Sequence, residues 1–199
     1  REKLHRFAQE RVFAESGHEV SSEFLVVRAL RELGERFRTE APNATCIGMK
    51  GAGKTFTFRI LSGMSSWEIF LKRLRVESST RASSKAMIVP VLPARNLQLL
   101  DNIVSARSDC AKSLGASAPI AFSQLNDLID KASQTLSSES EWGSFWLDVI
   151  AWSCGVDVGQ PGAGNRLIEI VIQSQGRMIA LFDGLEESFQ SFRANTSQQ

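Results

Sequence analysis

The residues best suited to chemistry are Gly48-Met49-Lys50-Gly51-Ala52-Gly53-Lys54-Thr55, a run that fits the pattern G-x-x-x-x-G-K-[ST]. Each residue type has a physical reason to be there. The glycines let the backbone curl, so that successive N–H groups point inward at phosphate oxygens. A helix opening near Gly53 adds its positive end to the same place. Lys54 supplies a point charge for the β and γ phosphates, and the Thr55 hydroxyl is placed to coordinate Mg²⁺. Charge-assisted hydrogen bonds contribute about 1.5–3 kcal/mol each, so a handful hold a triphosphate. The expected ligand is therefore ATP or GTP with Mg²⁺. The expected contact set is Gly48, Lys50, Gly51, Ala52, Gly53, Lys54, Thr55 and Phe56. Lys50 is placed to face either the phosphates or solvent. No Asn-Lys-x-Asp guanine-specificity motif occurs, which tilts the nucleotide toward ATP.

A metal at such a loop needs a second anchor, an acid at the tip of an apolar strand. Met178-Ile179-Ala180-Leu181-Phe182 ends on Asp183 and supplies one. Asp183 is expected to hold Mg²⁺ through water. Gly184-Leu185-Glu186-Glu187 follows, and a carboxylate three or four residues past the metal acid can reach an attacking water as general base. Glu186 and Glu187 both qualify, with Glu187 slightly preferred. The catalytic set is thus Lys54, Glu186 and Glu187, and the metal set is Thr55 and Asp183. The plainer reading of the acids is a helix start after a buried strand, since carboxylates favour helix N-termini.

These two segments, Gly-Met-Lys-Gly-Ala-Gly-Lys-Thr and Ala-Leu-Phe-Asp-Gly-Leu-Glu-Glu, resemble the Walker A and Walker B motifs of P-loop NTPases of the ASCE division. The second is similar to the Asp-Gly-Leu-Asp-Glu pattern of the STAND and NACHT class, with Glu186 standing where that pattern has Asp; KAP-type ATPases are similar as well. The resemblance covers the two motifs and their strands. It implies a parallel sheet flanked by helices, with the Walker B strand not directly following the P-loop strand. It also implies an ATP-driven switch that works by conformational change or self-association, in a defence or signalling system. The span from Lys54 to Asp183 exceeds what a minimal core of this class needs, so the middle reads as an inserted helical subdomain. Few residues follow Asp183, and the later strands that carry a polar sensor and an arginine are missing. The core is therefore expected to be incomplete and the chain part of a larger protein.

The elements that must position these residues can be read from periodicity. Residues 2–15 and 22–39 read as amphipathic helices, the second capped by Ser21 or Ser22 and followed by Pro42. Ala44–Met49 reads as the strand entering the loop, and Phe56, Ile60 and Leu61 recur at helical spacing after it. A helix is expected over Ser66–Leu74 and a strand over Ala86–Leu92, with Pro90 marking an edge or strand end. Helices are expected at 97–114, 121–136, 141–154 and 164–174, and a doubly buried strand at 178–182. This alternation predicts an α/β domain over 41–199, with a helical insert at about 97–175, behind an N-terminal helical region at 1–40. Gly159–Gly164 mimics a second phosphate loop, but Asn165-Arg166 follows it in place of Lys-Thr, so it reads as an inter-helix loop. Trp142 and Trp146, four residues apart, are expected to pack the insert against the core.

Composition narrows the classes. A length of 199 residues allows one domain with a real core, and 43% hydrophobic with 23% charged residues is ordinary for a globular protein. A net charge of +1 gives no bulk case for nucleic acid or an anionic membrane, although a local basic patch is left open. No run of about 18 apolar residues occurs, so no transmembrane helix is expected. Cys46, Cys110 and Cys154 fit neither a disulfide framework nor a metal motif and read as buried, reduced thiols in a cytoplasmic protein. A regulatory ATPase leads. A nucleotide-binding interaction module with little or no hydrolysis, and a small-molecule kinase, are the alternatives.

Overall fold

The computed structural model describes residues 28–47, 53–76, 86–94 and 101–185. The elements, in chain order, are α1 (Arg28–Arg36), α2 (Lys54–Ser62), α3 (Trp67–Leu74), β1 (Met87–Leu92), α4 (Asp101–Ser113), α5 (Phe122–Thr135), α6 (Glu139–Ser153), α7 (Ala163–Gln173) and β2 (Met178–Phe182). The two strands pair in parallel, Met87 opposite Met178 and Pro90 opposite Leu181, with an irregularity between Pro90 and Leu92. This is a mixed α/β arrangement with a two-stranded parallel sheet among the described residues. Pro90 lacks an N–H to give to a second neighbour, so it is tolerated in a strand that is paired on one side.

Side chains alternate across the strands, and so do the layers they feed. Ile88 and Ile179 enter a cluster with Leu30, Ile60, Trp67, Phe70, Leu71 and Leu74, which places α1, α2 and α3 on one face. Val89 and Val91 join Cys110, Leu125, Ile129, Val149, Trp152 and Leu167, with Met178, Ala180 and Phe182 packed against them, which places α4 to α7 on the other. Period-2 alternation therefore feeds two helical layers from one pair of strands. Burying a side chain such as Trp67 or Phe70 contributes about 1.5–3 kcal/mol, and both are essentially inaccessible.

Local signals set the helix ends. Ser66 caps α3, its hydroxyl accepting from the Ile69 N–H at 3.4 Å. Ser138 and Glu141 form a full capping box at the start of α6. Trp142 stacks on Trp146 with centroids 6.2 Å apart, and Trp146 meets the ring of Phe182 edge-on at 5.7 Å, so the expected aromatic seam joins α6 to β2.

Two expectations are corrected. The strand expected over Ala44–Met49 is not formed in its described part: residues 41–47 have no regular structure, and Ile47 is 91% exposed. Thr45 and Ile47 are its only β-branched residues. That propensity is too weak to hold a strand that lies on no neighbour's ladder. All three cysteines are expected to be buried; Cys110 and Cys154 are, but Cys46 lies in this exposed run. The helix expected at 2–15 and the loop at 77–85 fall outside the described residues. The helix expected at 22–39 is present in its described part as α1.

Candidate functional site

Lys54 opens α2, directly after Gly53, which takes φ 84° and ψ 14°. That left-handed conformation costs a non-glycine residue roughly 1–2 kcal/mol, whereas the space around Gly53 is open, with nothing within 4 Å of where a Cβ would sit. The glycine is thus required for backbone shape rather than for room. No side chain caps α2. The Gly53 carbonyl accepts from the Thr57 N–H at 2.9 Å and the Thr57 hydroxyl at 3.1 Å, which fixes the helix to the glycine turn. Its first-turn N–H groups and its positive end are left for something outside the helix. Lys54, Thr55 and Phe56 are half-buried there.

The direction of α2 decides where that end lies. The segment leaving α2 is pinned to the start of β1: Ile88 N–H donates to Ser65 O at 3.4 Å, Trp67 N–H donates to Ala86 O at 2.9 Å, and Ser66 bridges Met87. The far end of α2 is therefore at the amino end of the strands. Nearer its start, Phe58 lies in a cluster with Ala94, Ile103 and Phe122, against which Leu181 packs, and Ala94 follows the last residue of β1. α2 thus runs antiparallel to both strands, and its N-terminus sits at their carboxyl end. In parallel α/β sheets this is the edge where ligands bind.

Asp183 stands on the same edge, one residue past β2. Its N–H donates to the Leu92 carbonyl at 2.7 Å, which ties the two strand ends together. It is 9% exposed, and Gly184 turns the chain away with φ 71°. The structure thus brings Gly53, Lys54, Thr55 and Phe56 to the edge that holds Asp183. Gly48, Lys50, Gly51, Ala52, Glu186 and Glu187 lie outside the described residues.

The rival loop at Gly159–Gly164 is resolved differently. Asp148 of α6 is buried, and its carboxylate accepts from Gly162 N–H at 3.0 Å and Gly164 N–H at 2.8 Å. The anion at the start of α7 is therefore an internal side chain, and the loop is a helix junction. Gly164 also brings α7 close to α6, since a Cβ there would lie 2.6 Å from Leu147 Cβ.

Two residues with clear physical roles were not singled out by sequence reasoning. Asp148 interrupts the apolar stretch Phe145–Val156, and a lone acid in such a stretch has to find buried donors. Arg107 is 3% exposed, donates from Nε to Ser153 O at 3.1 Å, and lies over the Phe122 ring with its guanidinium carbon 4.2 Å from the centroid. It caps the carboxyl end of α6, where a cation is favoured. Burial pulls its pKa down to about 10, opposed by the neighbouring Cys154 and Cys110. No signal in the local sequence marks Arg107, because its partners lie in α5 and α6. Of the arginines open to phosphate or partner roles, Arg59 is buried within α2 and Arg166 pairs with Glu169 at 3.0 Å.

Among the described residues no helix is long and apolar enough to cross a membrane. No protein-family model, curated protein or solved structure matches the chain.

Proposed function

We propose that the chain binds a nucleoside triphosphate, ATP by preference, with Mg²⁺ at the carboxyl edge of the β1–β2 pair. The observation that carries this reading is the convergence of α2's N-terminus, with Gly53 and Lys54, on the edge that holds Asp183. In this reading the first-turn N–H groups and Lys54 take the phosphates. Thr55 would ligate Mg²⁺ directly and Asp183 through water, an arrangement suited to two oxygen donors and a hard cation. Residues 48–52 complete the cradle, and Glu186 or Glu187 serves as base for an attacking water. The chain then acts as a P-loop ATPase domain whose turnover drives a conformational or self-association switch. Phosphate release from ATP, followed at rising protein concentration, tests this; the absence of release at every concentration sinks the hydrolytic part.

A second reading is favoured by one observation. Residues 41–47, which would anchor the loop to the sheet, form no strand, and 43–47 are exposed. A loop that no strand leads into suits binding more than catalysis, because in-line attack requires fixed positions. In that case the chain is a nucleotide-binding interaction module with little hydrolysis. Saturable ATP binding without phosphate release separates this from the first reading.

A further inference from the structure

A second concave site lies in the α1–α3 layer. Its cavity of about 310 Å³ is lined by Arg31 and Glu35 of α1, by Arg38 just beyond the end of that helix, and by Leu74, Arg75 and Val76 at the end of α3. None of these residues belongs to the carboxyl edge. Arg31 and Glu35 lie four residues apart on one face of α1, and Arg38 follows two residues past its end. A glutamate between two arginines at such spacing ordinarily pairs with one of them. Here it does not: among the described residues the ion pairs involve Arg28, Lys72, Lys112 and Arg166, and neither Glu35 nor any of the three arginines takes part in one. Among the described residues, three exposed arginines thus line one cavity with a single glutamate.

Arg75 comes to the cavity from the other helix. It closes α3 with φ 59° and ψ 34°, the left-handed conformation that helix ends usually assign to glycine. The bonds of that turn, Arg75 N–H to Lys72 O and Val76 N–H to Leu71 O, both 3.0 Å, hold the conformation and so fix where the Arg75 side chain starts. Arginine forks match the oxygens of phosphate in paired hydrogen bonds.

We propose that Arg31, Arg38 and Arg75 form a binding site for the phosphate group of a small phosphorylated molecule, separate from the nucleotide edge and independent of it. Leu74 and Val76 give the cavity an apolar floor, and Glu35 offers an acceptor for a hydroxyl beside the phosphate, as in a phosphate ester. The cavity volume suits a small molecule rather than an extended polyanion.

The test uses the full chain carrying Lys54→Ala, so that the glycine loop does not contribute. Inorganic phosphate, glycerol phosphate and a short single-stranded oligonucleotide are titrated separately, with the arginine Nε–H signals followed by NMR and affinities taken from calorimetry. The expected result is saturable binding of phosphate or glycerol phosphate that shifts three arginine signals; the stronger of the two ligands identifies free phosphate or an ester as the natural source. Adding Arg75→Gly is expected to weaken that binding about tenfold or more, the worth of a charge-assisted bond, while the melting temperature holds or rises, because glycine relieves the turn. Arg31→Gln is expected to weaken binding likewise, and Arg28→Ala, outside the cavity, to leave it unchanged. Binding that Arg75→Gly and Arg31→Gln leave intact overturns the proposal, as does binding of the oligonucleotide alone or of none of the three.

Discussion

Replacing Asp148 by alanine should destabilise the whole domain, although Asp148 touches no part of the proposed nucleotide edge. The carboxylate accepts two backbone N–H bonds, from Gly162 at 3.0 Å and Gly164 at 2.8 Å. Hydrogen bonds to a charged acceptor are worth about 1.5–3 kcal/mol each, and a buried donor left unmade adds a desolvation penalty. Losing both should cost about 3 kcal/mol or more. For a chain of this size that lowers the melting temperature by roughly 6–12 °C. Asp148→Asn keeps one acceptor oxygen but turns an N–H₂ group toward a donor, so it should fall between alanine and the parent. Urea denaturation followed by circular dichroism gives the free energies directly. An Asp148→Ala protein within about 0.5 kcal/mol of the parent, the range of a neutral surface change, would refute the argument that this acid holds α7 to α6.

Gly155→Ala should be severe, because Gly155 has φ 76° and an added Cβ would lie 1.9 Å from the Ser117 carbonyl oxygen. The left-handed strain and the overlap together should cost about 2–5 kcal/mol; a parent-like melting temperature would contradict the tight α4–α6 junction. Glu141 is held below the usual glutamate pKa, first by the Ser138 backbone N–H, then by those of Ser137 and the Ser138 hydroxyl. A depressed folded-state pKa means that its contribution is present above the unfolded glutamate value and is lost as pH falls through the lower, folded one. The helicity of α6 should therefore fray at its start across that acidic window. Glu141→Gln should flatten this dependence while keeping the cap, and an unchanged acid profile in Glu141→Gln would count against it.

The sequence marked the described elements to within a few residues wherever one face was strongly apolar. α3 begins at the capping Ser66, α6 at the Ser138 box, and β2 is the apolar run that ends on Asp183. It failed where structure depends on distant partners. Ala44–Ile47 has some of the composition of a strand but lies on no ladder. The loop at Gly159–Gly164 is the inter-helix loop that its lack of Lys-Thr suggests, but the Asp148 carboxylate that holds it was not foreseen. The candidate site was legible as a motif, since glycine, lysine and threonine are ordered along the chain. The paired motifs imply that Lys54 and Asp183 lie together, but the geometry that puts them on one edge was not legible. It follows from the antiparallel course of α2, which is set by the backbone bonds of Ser65 and Trp67 to the start of β1.

The central claim is that this edge binds nucleotide through Lys54 and the helix that it opens. Calorimetric titration of ATP with Mg²⁺ into the chain and into Lys54→Ala addresses it most directly, with circular dichroism confirming that both are folded. The account predicts saturable, Mg²⁺-dependent binding to the parent and a loss of about tenfold or more in Lys54→Ala, the worth of a charge-assisted phosphate contact. Equal affinity in the two proteins, or no binding to the parent, would contradict it.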